Sequence, residues 1–337
     1  MKKTLIALAV VAVSGAAFAQ SSVTLSGKLG VAYTANKTAA GVKSNGFGVT
    51  DGNVTFAAVE DLGGGLSAAV SMDVRVRGRE SADDGLSSAA TCTALPCVTA
   101  PNRDGVGGRD ASVSLMGGFG RLTLGAVEAG NGIIGLASAG APVIGQDNGV
   151  TLDAAGNVDL LAYTTPALIP GLTARVLLID SIGNPGTDGM ETASTLQDAT
   201  LVGVNYAAGA FAAAADYTAF GQNSAAATTT DTRTRISGSF DLGMVKLGAG
   251  FQAKETFAGV KDKQYMLGVS APMGPVVVGA TYAVRNNDNN AVDAKGYELG
   301  AQYNLSKRTA LQTAYLSQKI EGQSAATSVR VRLMHSF

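Results

Sequence analysis

The sequence contains no tryptophan and a single histidine, and only 15% of its residues are charged. One histidine cannot supply a multi-histidine metal site, and it confines any Ser-His or Cys-His catalysis to His335. The formal net charge of -1 lacks the basic excess that is typical of nucleic-acid-binding proteins. These shortages argue against an enzyme and against a nucleic acid as partner.

Long apolar runs are missing after the first nineteen residues. Residues 1–19 have the features of a cleavable signal peptide, namely two lysines, an apolar stretch and an Ala-Phe-Ala cleavage site. The mature chain is therefore expected to be 20–337, which contains no 18-residue apolar run that could cross a bilayer as a helix. A membrane location would then require a closed β-barrel, because hydrocarbon offers no hydrogen bonds to unpaired backbone groups.

Cysteine is also scarce. The chain has two cysteines, Cys92 and Cys97, which lie five residues apart in a long polar stretch, 78–108. The C-x-x-C spacing of redox motifs is absent, and two nearby cysteines in an exported protein more often form a local disulfide than a metal site. The sequence predicts a disulfide within a loop.

Alternation of apolar and polar residues dominates the rest of the chain, and it predicts β-strands with one apolar face. The connections between segments are alternately short and long, a pattern typical of outer-membrane barrels. We therefore predict an all-β protein, a sixteen-stranded antiparallel transmembrane β-barrel with short periplasmic turns and long extracellular loops. The predicted strands are 23–33, 47–60, 66–77, 109–116, 121–128, 157–164, 172–180, 199–207, 210–220, 233–241, 245–254, 262–271, 275–286, 295–304, 309–318 and 327–337.

The same alternation assigns side chains to the two faces of the barrel. It places all nine tyrosines on the apolar face, as expected for a girdle at the lipid headgroups. Inward charges could create a field across the pore or could simply solvate a wet lumen. The basic residues predicted to face inward are Lys28, Arg75, Arg77, Arg175, Arg235, Lys246, Arg330 and Arg332, with Arg109 at the loop-side end of its strand.

One motif suggests a different function. Residues 130–135 read G-N-G-I-I-G, which matches the glycine pattern of dinucleotide-binding proteins. That fold needs a long helix after the glycines, but Gly140 and Pro142 interrupt any such helix. With 44 glycines in the chain, we interpret the match as a coincidence.

Several segments resemble the general porins of Gram-negative outer membranes, especially the beta-proteobacterial type. The residues E-D-L-G-G-G-L at 60–66 match the first turn of that family, and L-S-K-R-T at 305–309 is similar to a later turn. Residues 163–166 resemble the segment after the constriction loop, and His335-x-Phe337 resembles the terminal signature.

The resemblance implies a homotrimer of water-filled channels for small hydrophilic solutes, set among outer-membrane lipid and lipopolysaccharide. The third loop, 129–156, would fold inward with Glu128 and Asp147 as the acids of the constriction, and the second loop would cover a neighbouring subunit. Phe337 would be recognised by the barrel-assembly machinery. No cofactor is expected, and the sequence leaves open whether the loops bind calcium.

Ion selectivity also remains open at the level of sequence. Three arginines that the family commonly places on the pore wall are replaced here by Asn53, Ala57 and Ala126. A substrate-selective channel for small carboxylates or sugars is the main alternative to a general pore. A barrel enzyme that depends on His335 and a soluble secreted β-protein are the remaining alternatives.

Overall fold

The computed structural model describes residues 22–76, 106–129, 132–144, 156–180, 198–221, 230–287 and 293–337. These residues form a closed antiparallel β-barrel in which each strand pairs with the next along the chain and β1 closes against β16. The predicted sixteen-stranded all-β fold is confirmed. The predicted signal peptide, 1–19, lies outside the described residues.

The strands are β1 (Ser22–Lys37), β2 (Lys43–Gly63), β3 (Leu66–Val76), β4 (Val106–Gly117), β5 (Gly120–Ala129), β6 (Gly156–Thr164), β7 (Leu172–Asp180), β8 (Ala199–Ala208), β9 (Phe211–Phe220), β10 (Thr230–Asp241), β11 (Lys246–Thr256), β12 (Lys261–Met273), β13 (Val276–Asn287), β14 (Ala294–Asn304), β15 (Thr309–Ile320) and β16 (Ala326–Ser336). In the described part of the chain, one short helix, α1 (Ile134–Ala137), follows β5. No helix in the described ranges is long and apolar enough to cross a bilayer.

Some strands extend further toward the long loops than the sequence predicted. The first loop, predicted as 34–46, is reduced to 38–42 because Asn36 still pairs with Ser44. The sixth, predicted as 255–261, is reduced to 257–260. Ladder hydrogen bonds need only backbone groups, so strands continue through polar residues that read as loop in the sequence.

The outer face of the barrel is apolar and exposed. Val23, Leu299 and Leu333 are 79%, 51% and 51% exposed, and many other large hydrophobic residues share their face. All nine tyrosines lie on this face by the alternation of the strands. Such a surface is incompatible with water over so large an area and fits contact with lipid.

The barrel closes at the C-terminal residue. The N–H of Phe337 donates to the carbonyl of Gly27 at 3.0 Å, and the N–H of Gly27 donates to the carbonyl of Phe337 at 3.2 Å. A Cβ atom at Gly27 would lie 2.6 Å from Cζ of the Phe337 ring, so the ring covers a position without a side chain. Nearby on the outer face, Nδ1 of His335 lies 2.9 Å from the hydroxyl oxygen of Thr309.

Candidate functional site

The segment 132–144, which we call the inward loop, leaves β5 and packs against the inner wall of β10–β14, almost across the barrel. A Cβ atom at Gly132 would lie 3.0 Å from Cζ of Arg235 on β10. Further along, Ile133, Ile134 and Ala137 form a buried apolar cluster with Met266 and Ala283 on the wall. The predicted inward fold of the third loop is confirmed for its described part.

Three side chains of the wall hold the far end of the inward loop. The hydroxyl of Ser270 donates to the carbonyl of Ala139 at 2.5 Å. The carboxylate of Glu298, which is only 2% exposed, accepts the N–H of Ile144 at 2.6 Å. The guanidinium of Arg330 donates to the carbonyls of Val143 and Ile144, both at 3.4 Å. These contacts satisfy loop backbone groups that would otherwise be buried without partners.

The local sequence explains why the inward loop is not a long helix. The helix α1 has four residues, and it ends at Ala139 and Gly140, whose φ angles of 54° and 73° are left-handed. A left-handed residue ends a helix, and Pro142 could not continue one. The G-x-G-x-x-G match thus belongs to a loop inside a barrel and not to a dinucleotide site.

The first charged group, the Asp51 cluster, consists of Lys28, Asp51, Arg330 and Arg332 on β1, β2 and β16. The Nζ atom of Lys28 lies 3.1 Å from Oδ1 of Asp51, and Arg332 forms a second ion pair with the same carboxylate. Arg330 and Arg332 are two residues apart on one strand and share its inner face. All three predicted basic residues of this region therefore lie together inside the lumen.

The second group, the Glu128 cluster, consists of Asp73, Arg75, Arg109, Asp110 and Glu128 on β3–β5. Nη2 of Arg75 lies 3.1 Å from the carboxylate of Glu128, which also pairs with Arg109. The backbone N–H of Glu128 donates to Asp110 at 2.7 Å. The predicted constriction acid Glu128 is thus held between two of the predicted arginines near the end of β5, the strand that precedes the inward loop.

The third group, the Asp216 cluster, consists of Arg175, Asp216, Arg233 and Arg235 on β7, β9 and β10. Arg235 lies 2.8 Å and Arg175 3.2 Å from the carboxylate of Asp216. Arg175 reaches Asp216 across β8 because Gly203 lies between them, where a Cβ atom would come within 3.2 Å of Nε of Arg175. Its position beside Gly132 places the cluster next to the inward loop.

Sequence reasoning missed several inward charges and acids. Arg121 donates to Ser114 at 2.9 Å, Arg233 lies 5.4 Å from the centre of the Phe220 ring, and Arg285 lies 2.6 Å from Asp262. The alternation that assigned the other arginines also turns these three inward, so the signal was present. Asp216 is different, because no pattern in the sequence shows which two arginines its carboxylate joins.

The remaining predicted residues have simpler outcomes. Lys246 begins β11 and lies opposite Ser270 in register, on the short-turn side of the inward loop. Arg77, Asp147, Cys92 and Cys97 lie outside the described residues, so the predicted disulfide and the second constriction acid remain predictions.

The arrangement is suited to transport without a reaction. Charged side chains line a lumen that the inward loop narrows, and charges in such a passage raise the local concentration of counter-ions. The one histidine of the chain lies on the outer face, away from these charges.

Comparisons with known proteins agree with this geometry. The family described as Gram-negative porin matches residues 4–323 of the chain. Outer membrane porin protein 32 of Delftia acidovorans is 32% identical over the full length of both chains. The anion-selective porin from Comamonas acidovorans superposes with a TM-score of 0.69 at 25% identity, covering 94% of this chain and all of that one. The trimer form of OmpT from Vibrio cholerae gives a TM-score of 0.65 at 11% identity, over 94% and 99% of the two chains, which shows the shared fold.

The family match, the apolar outer face and the charged, loop-narrowed lumen lead to one conclusion. The chain belongs to the Gram-negative porin family, and it forms a water-filled channel of the outer membrane for passive diffusion of ions and small hydrophilic solutes.

Proposed function

We propose that this channel conducts small anions in preference to cations. The observation that carries the proposal is the Asp216 cluster, where the guanidinium groups of Arg175 and Arg235 share one carboxylate beside the inward loop. The three charged clusters together with Glu298 contain eight cations and six carboxylates. An excess of positive charge on a confined wall attracts anions and repels cations.

A comparison also supports an anion preference, because the similar porin from Comamonas acidovorans is described as anion-selective. The preference is expected to weaken at high salt, because mobile ions screen wall charges beyond about 3 Å at 1 M ionic strength.

The reversal potential across a planar bilayer with a potassium chloride gradient tests this proposal. We expect the sign that corresponds to chloride preference, and a smaller value for Arg175→Gln, which removes a partly exposed cation from the lumen. Arg308→Gln is the matched control, because Arg308 lies in the turn between β14 and β15. A potential of the opposite sign, or equal shifts in the two variants, would contradict the proposal.

We also infer that the channel is a homotrimer of barrels. The support comes from the description of the Vibrio cholerae relative, which shares the fold, as a trimer. Chemical crosslinking of the protein in mild detergent, followed by electrophoresis of heated and unheated samples, provides the test. A ladder that ends at three subunits is expected, whereas a folded protein that never crosslinks beyond the monomer would exclude this assembly.

A further inference from the structure

Five glycines on the inner wall lie directly beneath the inward loop. They are Gly248 and Gly250 on β11, Gly268 on β12, Gly279 on β13 and Gly300 on β14. Gly248 is opposite Gly268 in the strand register, and Gly279 is opposite Gly300. We call these five residues the glycine track.

The loop backbone occupies the space that side chains would fill at these positions. A Cβ atom at Gly248 would lie 2.6 Å from the carbonyl oxygen of Ala137, and one at Gly268 would lie 2.6 Å from the carbonyl carbon of Ser138. At Gly300 it would lie 2.7 Å from the carbonyl carbon of Pro142. Because ordinary van der Waals contact begins near 3.4 Å, any side chain here would force the loop away from the wall.

Two other inward glycines show that a strand does not by itself require this residue type. Gly46 and Gly48 lie on β2, on the face opposite Phe47, and a Cβ atom at either would meet nothing within 4 Å. Glycine weakens a strand, and inside one it often marks a close approach of another backbone. The glycine track is such an approach, made by a segment more than a hundred residues earlier in the chain.

We propose that the glycine track determines the free width of the channel by setting how closely the inward loop lies against the wall. Ser270, Glu298 and Arg330 hold the far end of the loop, so bulk added beneath its middle lifts it toward the pore axis and does not release it. A lifted loop narrows the passage. The inference rests on the channel function and makes the glycines size-determining residues of that channel.

Gly250 and Ala137 offer the cleanest test. A Cβ atom at Gly250 would lie 2.9 Å from Cβ of Ala137 and 3.1 Å from Cβ of Ile133, so its close contacts are with loop side chains. Gly250→Ala should lower single-channel conductance and slow the uptake of larger neutral sugars into liposomes. Adding Ala137→Gly to it should restore both, because the second change removes the methyl group that the first one meets. Gly48→Ala is the matched control and should leave both unchanged.

A loop-side variant covers the case in which Gly250→Ala does not fold. Ala137→Val adds bulk against the same glycine without altering any strand, and it should lower conductance in the same way. Conductance that is unchanged or higher in the folded variants, or that falls equally in Gly48→Ala, would overturn the role of the glycine track. The reversal potential of the same channels tests the anion preference separately, since a loss of selectivity leaves the dependence on width intact.

Discussion

The charge balance inside the lumen depends on single carboxylates. Asp216 is almost fully buried, and it joins Arg235 at 2.8 Å and Arg175 at 3.2 Å. Removing one partner from such a group leaves the others without compensation, and the penalty exceeds what the contact itself contributes. The residue therefore affects both the stability of the barrel and the charge that an ion meets.

Asp216→Asn should shift the reversal potential further toward chloride, because two guanidinium groups lose their shared negative charge. It should also lower the free energy of unfolding by about 1–3 kcal/mol, the usual cost of leaving buried polar groups poorly paired. Asp61→Asn is the control, since Asp61 lies at the exposed end of β2, where its carboxylate accepts the N–H of Gly63. The reversal potential measures the shift toward chloride, and urea unfolding measures the loss of stability. Identical results for Asp216→Asn and Asp61→Asn would contradict both expectations.

At the scale of strands, the closure of β1 on β16 combines a backbone ladder with side-chain contacts, among them that of the terminal ring. Ten residue pairs join the two strands, and Phe337 adds two backbone hydrogen bonds with Gly27 beyond the last of them. The ring of Phe337 lies over Gly27, where a Cβ atom would also meet the carbonyl oxygen of Asn53 at 2.5 Å. The closure thus requires a small residue at this position on β1.

Gly27→Val should lower the temperature at which the barrel unfolds in detergent. Crowding in a packed site typically costs about 1–3 kcal/mol, and here it displaces the terminal ring as well. The shift from folded to unfolded mobility on electrophoresis after heating in steps gives the midpoint. Gly48→Val places its side chain in open space and should lower the midpoint temperature much less. Equal midpoints for the two variants would show that the ring contact is unimportant.

At the scale of the whole molecule, the apolar outer face determines where the protein resides. Leu299 is 51% exposed and lies on the outer face of β14 between Tyr297 and Tyr303, which mark the two ends of the apolar band on that strand. Hydrocarbon cannot solvate a charge, so the cost of a charged residue depends on its depth in the bilayer.

Leu299→Arg should reduce the free energy of unfolding in lipid vesicles by about 2–4 kcal/mol, the usual range for a cation near the bilayer midplane. Val42→Arg is the control, because Val42 lies in the exposed connection between β1 and β2 and should change stability by less than about 1 kcal/mol. Unfolding with urea, followed by circular dichroism, measures both. Similar losses in the two variants would place Leu299 outside the hydrocarbon.

The sequence by itself determined the barrel, because period-two alternation and the need to pair every backbone group in lipid leave no other spanning structure. The same alternation was sufficient to predict that Lys28, Arg175 and Arg332 face the lumen. Strand ends were less predictable, since polar residues such as Asn36 pair as readily as apolar ones once a ladder has formed.

Only the tertiary structure decided which inward groups meet. Arg175 reaches Asp216 because Gly203, on the strand between them, has no side chain in the way. Glu298 accepts a hydrogen bond from the N–H of Ile144, which lies far from it in the sequence. The glycine track has a function only because a loop from across the barrel rests on it. Such contacts depend on strand register and on the path of the inward loop through the lumen, and neither is encoded in the local alternation that predicts the strands.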